Sequence, residues 1–287
     1  MKVVALGGGH GTAVSLRALR RLSDEVTGVV SVADDGGSTG RLRAMLNVAA
    51  VGDLRKCLGA LADPDNPLTA SFEHRFRVGE LNGHAVGNLL LVGLIDATGD
   101  LEESVRAIAQ VMGVTGTIVP ASCEGVVLVA STEKGDARGQ TEVMKSSSIR
   151  RIRVEPQNAA APIAAVEAIE NADLILIGPG SLFTSVLAAC VVPGILQALA
   201  GTKARTLYVA NLREQVPETE GYALQDHVDA LVRHGVNPDV VLVDEGSAFA
   251  THNCSLSVHV RNLVGENRRV HDVQKLSEAV FAECEEF

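Results

Sequence analysis

Five short apolar runs rich in β-branched residues, at positions 3–6, 26–32, 174–177, 206–209 and 240–243, are separated by longer stretches whose apolar residues recur at helical spacing. Runs of this kind lack the polar alternation of a half-exposed strand, so they belong to strands buried on both faces of a parallel sheet. Parallel neighbours need crossover connections. The chain is therefore expected to be an α/β protein, a doubly wound, mostly parallel, Rossmann-like sheet with helices on both faces. Leu16, Leu19 and Leu22 share one helical face with Arg17, Arg20 and Arg21 elsewhere, and Leu54, Leu58 and Leu61 repeat the pattern behind Asp53, a candidate N-cap. Residues 124–154 differ. There an apolar run at 126–130 and a second, polar run flank Lys134-Gly135-Asp136-Ala137-Arg138-Gly139, which predicts an antiparallel hairpin inserted at a sheet edge of a single domain spanning 1–287. Arg150, Arg151 and Arg153 follow in a strand-like run, read either as an ordinary charged edge or as a binding stripe.

With 287 residues, 46% of them apolar, the chain can bury one large core. Its 25 Lys and Arg against 35 Asp and Glu give a formal charge of -10, so a polynucleotide would be repelled and nucleic acid is not expected as a partner. A small anion is still compatible, because backbone N–H groups and a few local arginines outweigh a distant negative surface. The five cysteines are scattered, form no Cys-x-x-Cys pair and are odd in number, which suits a reducing compartment. Met1-Lys2 leads directly into a strand-like run, and the longest apolar stretch, 186–200, contains Pro193 and Gln197 and falls short of the roughly 20 residues that span a bilayer. A soluble, cytoplasmic protein without membrane insertion is expected. His227 and His234 are too far apart along a helix, about 10 Å, to share an ordinary zinc site, and no Gly-x-Ser-x-Gly elbow is present.

In open α/β sheets ligands sit outside the carboxyl ends of the strands. The first run leads into Gly7-Gly8-Gly9-His10-Gly11-Thr12, where missing Cβ atoms and a helix start form a candidate phosphate cradle. Thr12 stands where a third fingerprint glycine would be, so neither the dinucleotide fingerprint nor the Walker loop is satisfied. The second run ends in Asp34-Asp35-Gly36-Gly37-Ser38-Thr39-Gly40-Arg41; its carboxylates, with Asp53, can hold ribose hydroxyls or a hydrated Mg²⁺, and Arg41, Arg43 and Arg55 can meet phosphates. In Gly83-His84-Ala85-Val86-Gly87-Asn88 a polar start to an apolar helix either aims His84 and Asn88 at a ligand or caps the helix. A second glycine turn, Gly178-Pro179-Gly180-Ser181, offers Ser181 as an N-cap or anion ligand, and two such turns suit a diphosphate. Asn211 and the polar residues 213–221 read as a base or sugar contact, a lid, or a plain surface loop.

These strings, with Gly52-Asp53-Leu54-Arg55 and Leu182-Phe183-Thr184-Ser185, together resemble the YvcK family, and His271-Asp272 with Lys275-Leu276 is similar to that family's C-terminal end. The resemblance runs in order along nearly the whole chain. It implies a gluconeogenesis factor that binds UDP-sugars and regulates cell shape and envelope metabolism. The wider superfamily includes CofD, the 2-phospho-lactate transferase, and by that similarity Asp35 and Asp53 are candidate catalytic or Mg²⁺-side carboxylates. The chain departs from many relatives at Ala50-Val51, where they carry prolines, and at Pro217-Glu218-Thr219, where they carry Gly-Glu-Thr. Three functions follow as expectations: a sugar-nucleotide-binding regulator, a transferase acting on a nucleotide-diphosphate donor, and an NAD(P)-dependent oxidoreductase. The first is expected to use Mg²⁺ at most, to hold no tightly bound organic cofactor, and to be compatible with a homo-oligomer.

Overall fold

The structure is a computed structural model and describes every residue other than 47, 248, 250–252, 267–268 and 286–287. Its main sheet contains β1 (Lys2–Gly7), β2 (Glu25–Val30) and β3 (Thr117–Pro120) from the first part of the chain. After the small sheet formed by β4 (Val127–Thr132), β5 (Gly135–Arg138) and β6 (Ile149–Glu155), the main sheet resumes. It is completed by β7 (Leu174–Ile177), β8 (Arg205–Val209), β9 (Val240–Asp244) and β10 (Ser257–Arg261). Seven strands run in the order β10-β9-β8-β7-β1-β2-β3, and every neighbouring pair is parallel. The order reverses between β1 and β7. Because crossovers are right-handed, that reversal sends the connecting helices to opposite faces and parts the loops leaving the two strands.

The expected apolar strands all form. β7 and β9 are buried along their whole length, as strands covered on both faces must be. Leu16 and Leu19 are buried under the helix Gly9–Arg20, which packs against Gly52–Leu61 and Val273–Glu285; Ile163–Glu170 packs against Pro193–Gly201. Leu22 lies beyond its helix, in the turn that leads to β2.

Three expectations are corrected. Asp53 is not an N-cap: the helix Gly52–Leu61 is entered through Val51, and Asp53 lies buried in its first turn. β2 ends at Val30, so residues 31–35 leave the sheet without regular secondary structure. The hairpin at 133–134 exists, but it carries a third antiparallel strand and forms its own sheet, β5-β4-β6, rather than extending the main one. Arg153 sits on the outer strand β6, where it pairs with Asp136 and Glu155, which is the charged-edge reading.

Among the described residues no single helix is long and apolar enough to cross a membrane. The apolar pair Leu182–Cys190 and Pro193–Gly201 is bent by 76°. Its first helix is buried core.

Candidate functional site

The crevice opened by the reversal of strand order lies between the loop after β1 and the loop after β7. It is a cleft of about 570 Å³, lined among others by His10, Gly11, Gly180, Asn211, Gln215 and His271. The two glycine turns touch each other. A Cβ on Gly11 would overlap the carbonyl oxygen of Pro179, and Ser15 Oγ donates to the Gly178 carbonyl at 2.6 Å. Gly9 and Gly178 have φ of +71° and +74°, a left-handed backbone that glycine adopts without penalty. Asn211 clasps Gly180 from both sides: its Oδ1 accepts from the Gly180 N–H at 3.1 Å and its Nδ2 donates to the Gly180 carbonyl at 2.8 Å.

Several glycines serve this architecture rather than an open phosphate space. A Cβ on Gly8 would run into the carboxylate of Asp53, and Thr12 is buried with its hydroxyl turned back to the Gly8 carbonyl at 3.2 Å. The free edge of the first turn is the start of the helix Gly9–Arg20 together with His10. Burial and then Lys56 push the His10 imidazole below its ordinary pKa, toward the neutral form.

Ser181 is engaged from within. Its hydroxyl donates to Glu218, whose carboxylate also accepts from the Phe183 N–H at 2.7 Å, the Thr184 N–H at 3.4 Å and the Thr184 hydroxyl at 3.2 Å. Glu218 is almost fully buried, which raises its pKa above the usual carboxylate value. The protein's own carboxylate thus occupies the helix start at which an exogenous anion was expected, and residues 215–219 form a fixed strap. Gln215 and Thr219 close that strap on themselves, Gln215 N–H donating to Thr219 Oγ1 at 2.9 Å.

The two adjacent aspartates part company. Asp35 accepts from the Thr141 N–H at 2.8 Å and the Thr141 hydroxyl at 2.7 Å, holding the short helix Gln140–Met144 of the small sheet. Asp34 turns the other way, accepting the Gly36 N–H at 2.8 Å, and its pKa is raised by burial first and by Asp53 second. The carboxylate beside Asp53 is therefore that of Asp34, not Asp35. Lys56 Nζ pairs with Asp53 at 3.1 Å.

A second cavity, of about 550 Å³, opens beyond β2, lined by Asp34, Ser38, Arg41, Arg55, Lys56 and Asn88 among others. Here Ser38 Oγ joins His84 Nδ1 at 2.9 Å and receives Asn88 Nδ2 at 3.3 Å. Neither His84 nor Asn88 caps its helix, whose N-cap is Ala85. Gly37, with φ +49° and no atom within 4 Å of a Cβ, begins the helix Gly37–Leu46 over this cavity; Gly36 is held by Asp34. Arg43 faces away, donating to the carbonyls of Asp34 and Val126.

A family model described as "2-phospho-L-lactate transferase CofD" matches residues 3–279. The chain belongs to the CofD family. A "Gluconeogenesis factor" of Halalkalibacterium halodurans is 40% identical over 249 residues, covering 85% of this chain and 77% of that protein. A relative from Aquifex aeolicus, provisionally named a gluconeogenesis factor, is 36% identical over 313 residues and covers 98% of this chain and 95% of its own. One from Nostoc sp., with the same provisional name, is 44% identical over 233 residues, covering 80% of this chain; the match spans about half of that longer protein, 51%. A crystal structure of a UPF0052 family member from Bacillus halodurans superposes with a TM-score of 0.92 at 35% identity, covering 98% of both chains.

His271, Lys56 and Arg75 were not singled out from the residues as site groups, and Glu218 was read only as one of the polar residues 213–221. His271 is the clearest of them. It is buried at the rim of the cleft, its pKa is lowered to about 4 by burial, and among the described residues its Nε2 has no hydrogen-bond partner. The only sequence signal for it was the family-like His271-Asp272 pair.

Proposed function

We propose that this CofD-family member is a nucleotide-binding regulatory protein whose ligand is a UDP-sugar, and that it couples carbon supply under gluconeogenic growth to envelope synthesis and cell shape in the cytoplasm. The observation that carries the binding reading is the cleft at the β1/β7 reversal, where a helix start meets the unpartnered, neutral imidazole of His271. Backbone N–H groups there favour an anionic phosphate, and His271 Nε2 accepts a hydrogen bond from a ribose hydroxyl or a base N–H. The gluconeogenesis-factor names of the relatives support the physiological half of the reading. Titration calorimetry of the chain with UDP-sugars, GDP and NAD(P) tests it. A UDP-sugar is expected to bind at micromolar to millimolar strength, with His271→Phe weakening it by about tenfold, the loss of one buried hydrogen bond. Binding of NAD(P) alone would overturn it.

The Asp34 and Asp53 carboxylates favour a second reading, a transferase. Magnesium usually takes one or two protein carboxylates plus substrate phosphate oxygens, and these two adjacent hard-oxygen groups fit that demand, although no cluster of three or more metal-ligating side chains occurs among the described residues. Asp34 and Asp53 would hold the ion, which would supply charge neutralisation at a phosphoryl group. The chain's own part is to orient the donor so that its phosphates reach from the cleft toward the cavity that Asp34 lines. Incubating the protein with Mg²⁺, UDP- and GDP-linked donors and hydroxyl acceptors separates the readings. Repeated turnovers abolished in Asp34→Asn would make it an enzyme; donor bound but unconsumed keeps it a regulator.

A further inference from the structure

The small sheet has two edges, β5 and β6, and the fold treats them differently. On β6 the Ile152 N–H donates to His234 Nε2 at 2.9 Å and the Arg150 carbonyl accepts from Arg233 Nη1 at 2.9 Å, so the end of the helix Leu224–Arg233 covers that edge. β5 has β4 on one side and, among the described residues, no strand on the other. The Gly139 N–H donates inward, to the Leu128 carbonyl at 2.7 Å. Inward and outward residues alternate along an antiparallel ladder, so Ala137 also faces β4, and the N–H and C=O groups of Asp136 and Arg138 point outward. The strand borders open space: a groove of about 350 Å³ is lined by β5 along its whole length and by Glu142, Lys145, Ser146 and Ser147.

A bare edge is a template for another strand, and proteins protect such edges with charges that repel an incoming copy. The charges on β5 do the reverse. Asp136 and Arg138 are exposed and share the solvent face of the sheet with Arg153 and Glu155 of β6. Asp136 meets Arg153 at 3.0 Å, Arg153 meets Glu155 at 3.2 Å, and Glu155 pairs with Arg138. An antiparallel second copy of β5, centred on Ala137, sets Asp136 opposite the partner's Arg138 and Arg138 opposite the partner's Asp136. These are the residues whose main-chain groups face outward, so each pair also exchanges its main-chain hydrogen bonds. Directly opposed side chains lie about 5 Å apart at Cβ, close enough for opposite charges to attract. The signs then alternate without a break through Arg153, Asp136, the partner's Arg138 and the partner's Glu155. Sliding the register by two residues either way brings two copies of Asp136, or two copies of Arg138, face to face, so the charges select one register. Ala137, at its centre, is too small to obstruct it.

We propose that β5 is a dimerisation edge, at which two copies of this chain join their small sheets into one continuous antiparallel sheet across a two-fold axis at Ala137. Main-chain hydrogen bonds supply the affinity and the opposed charges supply the register. A join between edges of four residues is small, so the dissociation constant is expected to be on the order of 100 µM. The small sheet alone carries this, and the nucleotide reading does not enter it. The edge runs on into the helix Gln140–Met144, which holds Asp35 through Thr141 and the Thr184 carbonyl through Gln140, so the joined edges lie one short helix from the loops after β2 and β7.

Sedimentation velocity of the full chain without ligand, from about 10 µM to about 500 µM, tests the proposal, the wild type being expected to pass from monomer to dimer across that range. Asp136→Arg and Arg138→Glu each set like charges opposite one another at both ends of the join, and each alone is expected to weaken self-association by at least about tenfold. Mixing the two variants restores opposite charges at both ends. The mixture is therefore expected to associate at least about tenfold more tightly than either variant alone, a repair that damage confined to one chain would not allow. If either reversal prevents folding, Asp136→Asn and Arg138→Gln replace them, with the mixture again expected to be tighter than its components. A wild type that stays monomeric over the whole range overturns the proposal. So does a dimer indifferent to both substitutions, which would use another surface, or a mixture no tighter than its components.

Discussion

Gly11 owes its identity to the chain it touches. A Cβ there would enter the carbonyl of Pro179, a backbone atom that cannot yield, so Gly11→Ala is expected to cost at least about 3 kcal/mol and to abolish ligand binding by parting the two turns. Gly37→Ala, left-handed but with no neighbour within 4 Å, should cost only about 1 kcal/mol of backbone strain; urea denaturation of the two variants checks the contrast. The glycine string was legible in the sequence, but a missing Cβ looks the same whether the space belongs to a phosphate or to another loop. Only the fold separates Gly8 and Gly11, which face Asp53 and Pro179, from Gly37, which faces open space. Buried histidines have a consequence at this scale too. His227 and His271 stay neutral in the fold, each with its pKa lowered to about 4 by burial. Below pH about 6.5 the unfolded chain takes up protons that the fold refuses, so each costs stability as pH falls toward 4, roughly 3 kcal/mol in all for each. Asp34 and Glu218, with raised values, act in the opposite sense. The clean measurement is therefore a difference: the gap in urea midpoint between pH 7 and pH 4.5 should narrow in His227→Phe relative to wild type, and an unchanged gap would refute the assignment.

At the scale of elements, the helix Leu182–Cys190 depends on a residue 36 positions beyond its start, because Glu218 supplies the acceptors that its opening N–H groups lack. The helix opens with a widened turn, the Val186 N–H reaching the Ser181 carbonyl at 2.9 Å, and Gln140 Nε2 donates to the Thr184 carbonyl at 2.8 Å. Glu218→Gln keeps the shape but replaces half of the acceptor with a donor pointed at other donors. It is expected to cost about 1–3 kcal/mol and to raise amide exchange across residues 211–221 and 182–186 together. Exchange rising in one segment alone would show that the strap and the helix are not one unit. Sequence periodicity located the central strands because burial on both faces leaves an unbroken apolar run. It passed over β3 and β10, the two edges of the sheet, because β3 is four residues ending in Pro120 and β10 alternates Ser257, Val258, His259, Val260 and Arg261 as a one-sided strand does. It found the hairpin β4–β5 and the strand-like run that becomes β6, but not that β6 pairs with β4, since pairing over that distance leaves no local mark.

The whole molecule is closed at its far edge by a single carboxylate. Glu283, fully buried on the helix Val273–Glu285, meets Arg205 of β8 at 3.1 Å and His259 and Arg261 of β10 at 2.7 and 3.0 Å. Removing one member of such a group strands buried charge, so Glu283→Ala is expected to cost about 3–5 kcal/mol and to release the C-terminal helix, measured by urea denaturation and by proteolysis near residue 272. A variant as stable as wild type would mean that water already screens the cluster. The same long-range logic governs the centre of the sheet. β1 pairs with β2 about 20 residues away, yet its other neighbour is β7, Val3 lying opposite Leu174. On a ribosome, the first glycine turn would emerge early and wait, its Gly11 face bare, until the chain had grown past Gly180. The cleft is thus a late product of synthesis, and a ligand that rewards its closure would act on newly made chains as well as on finished ones.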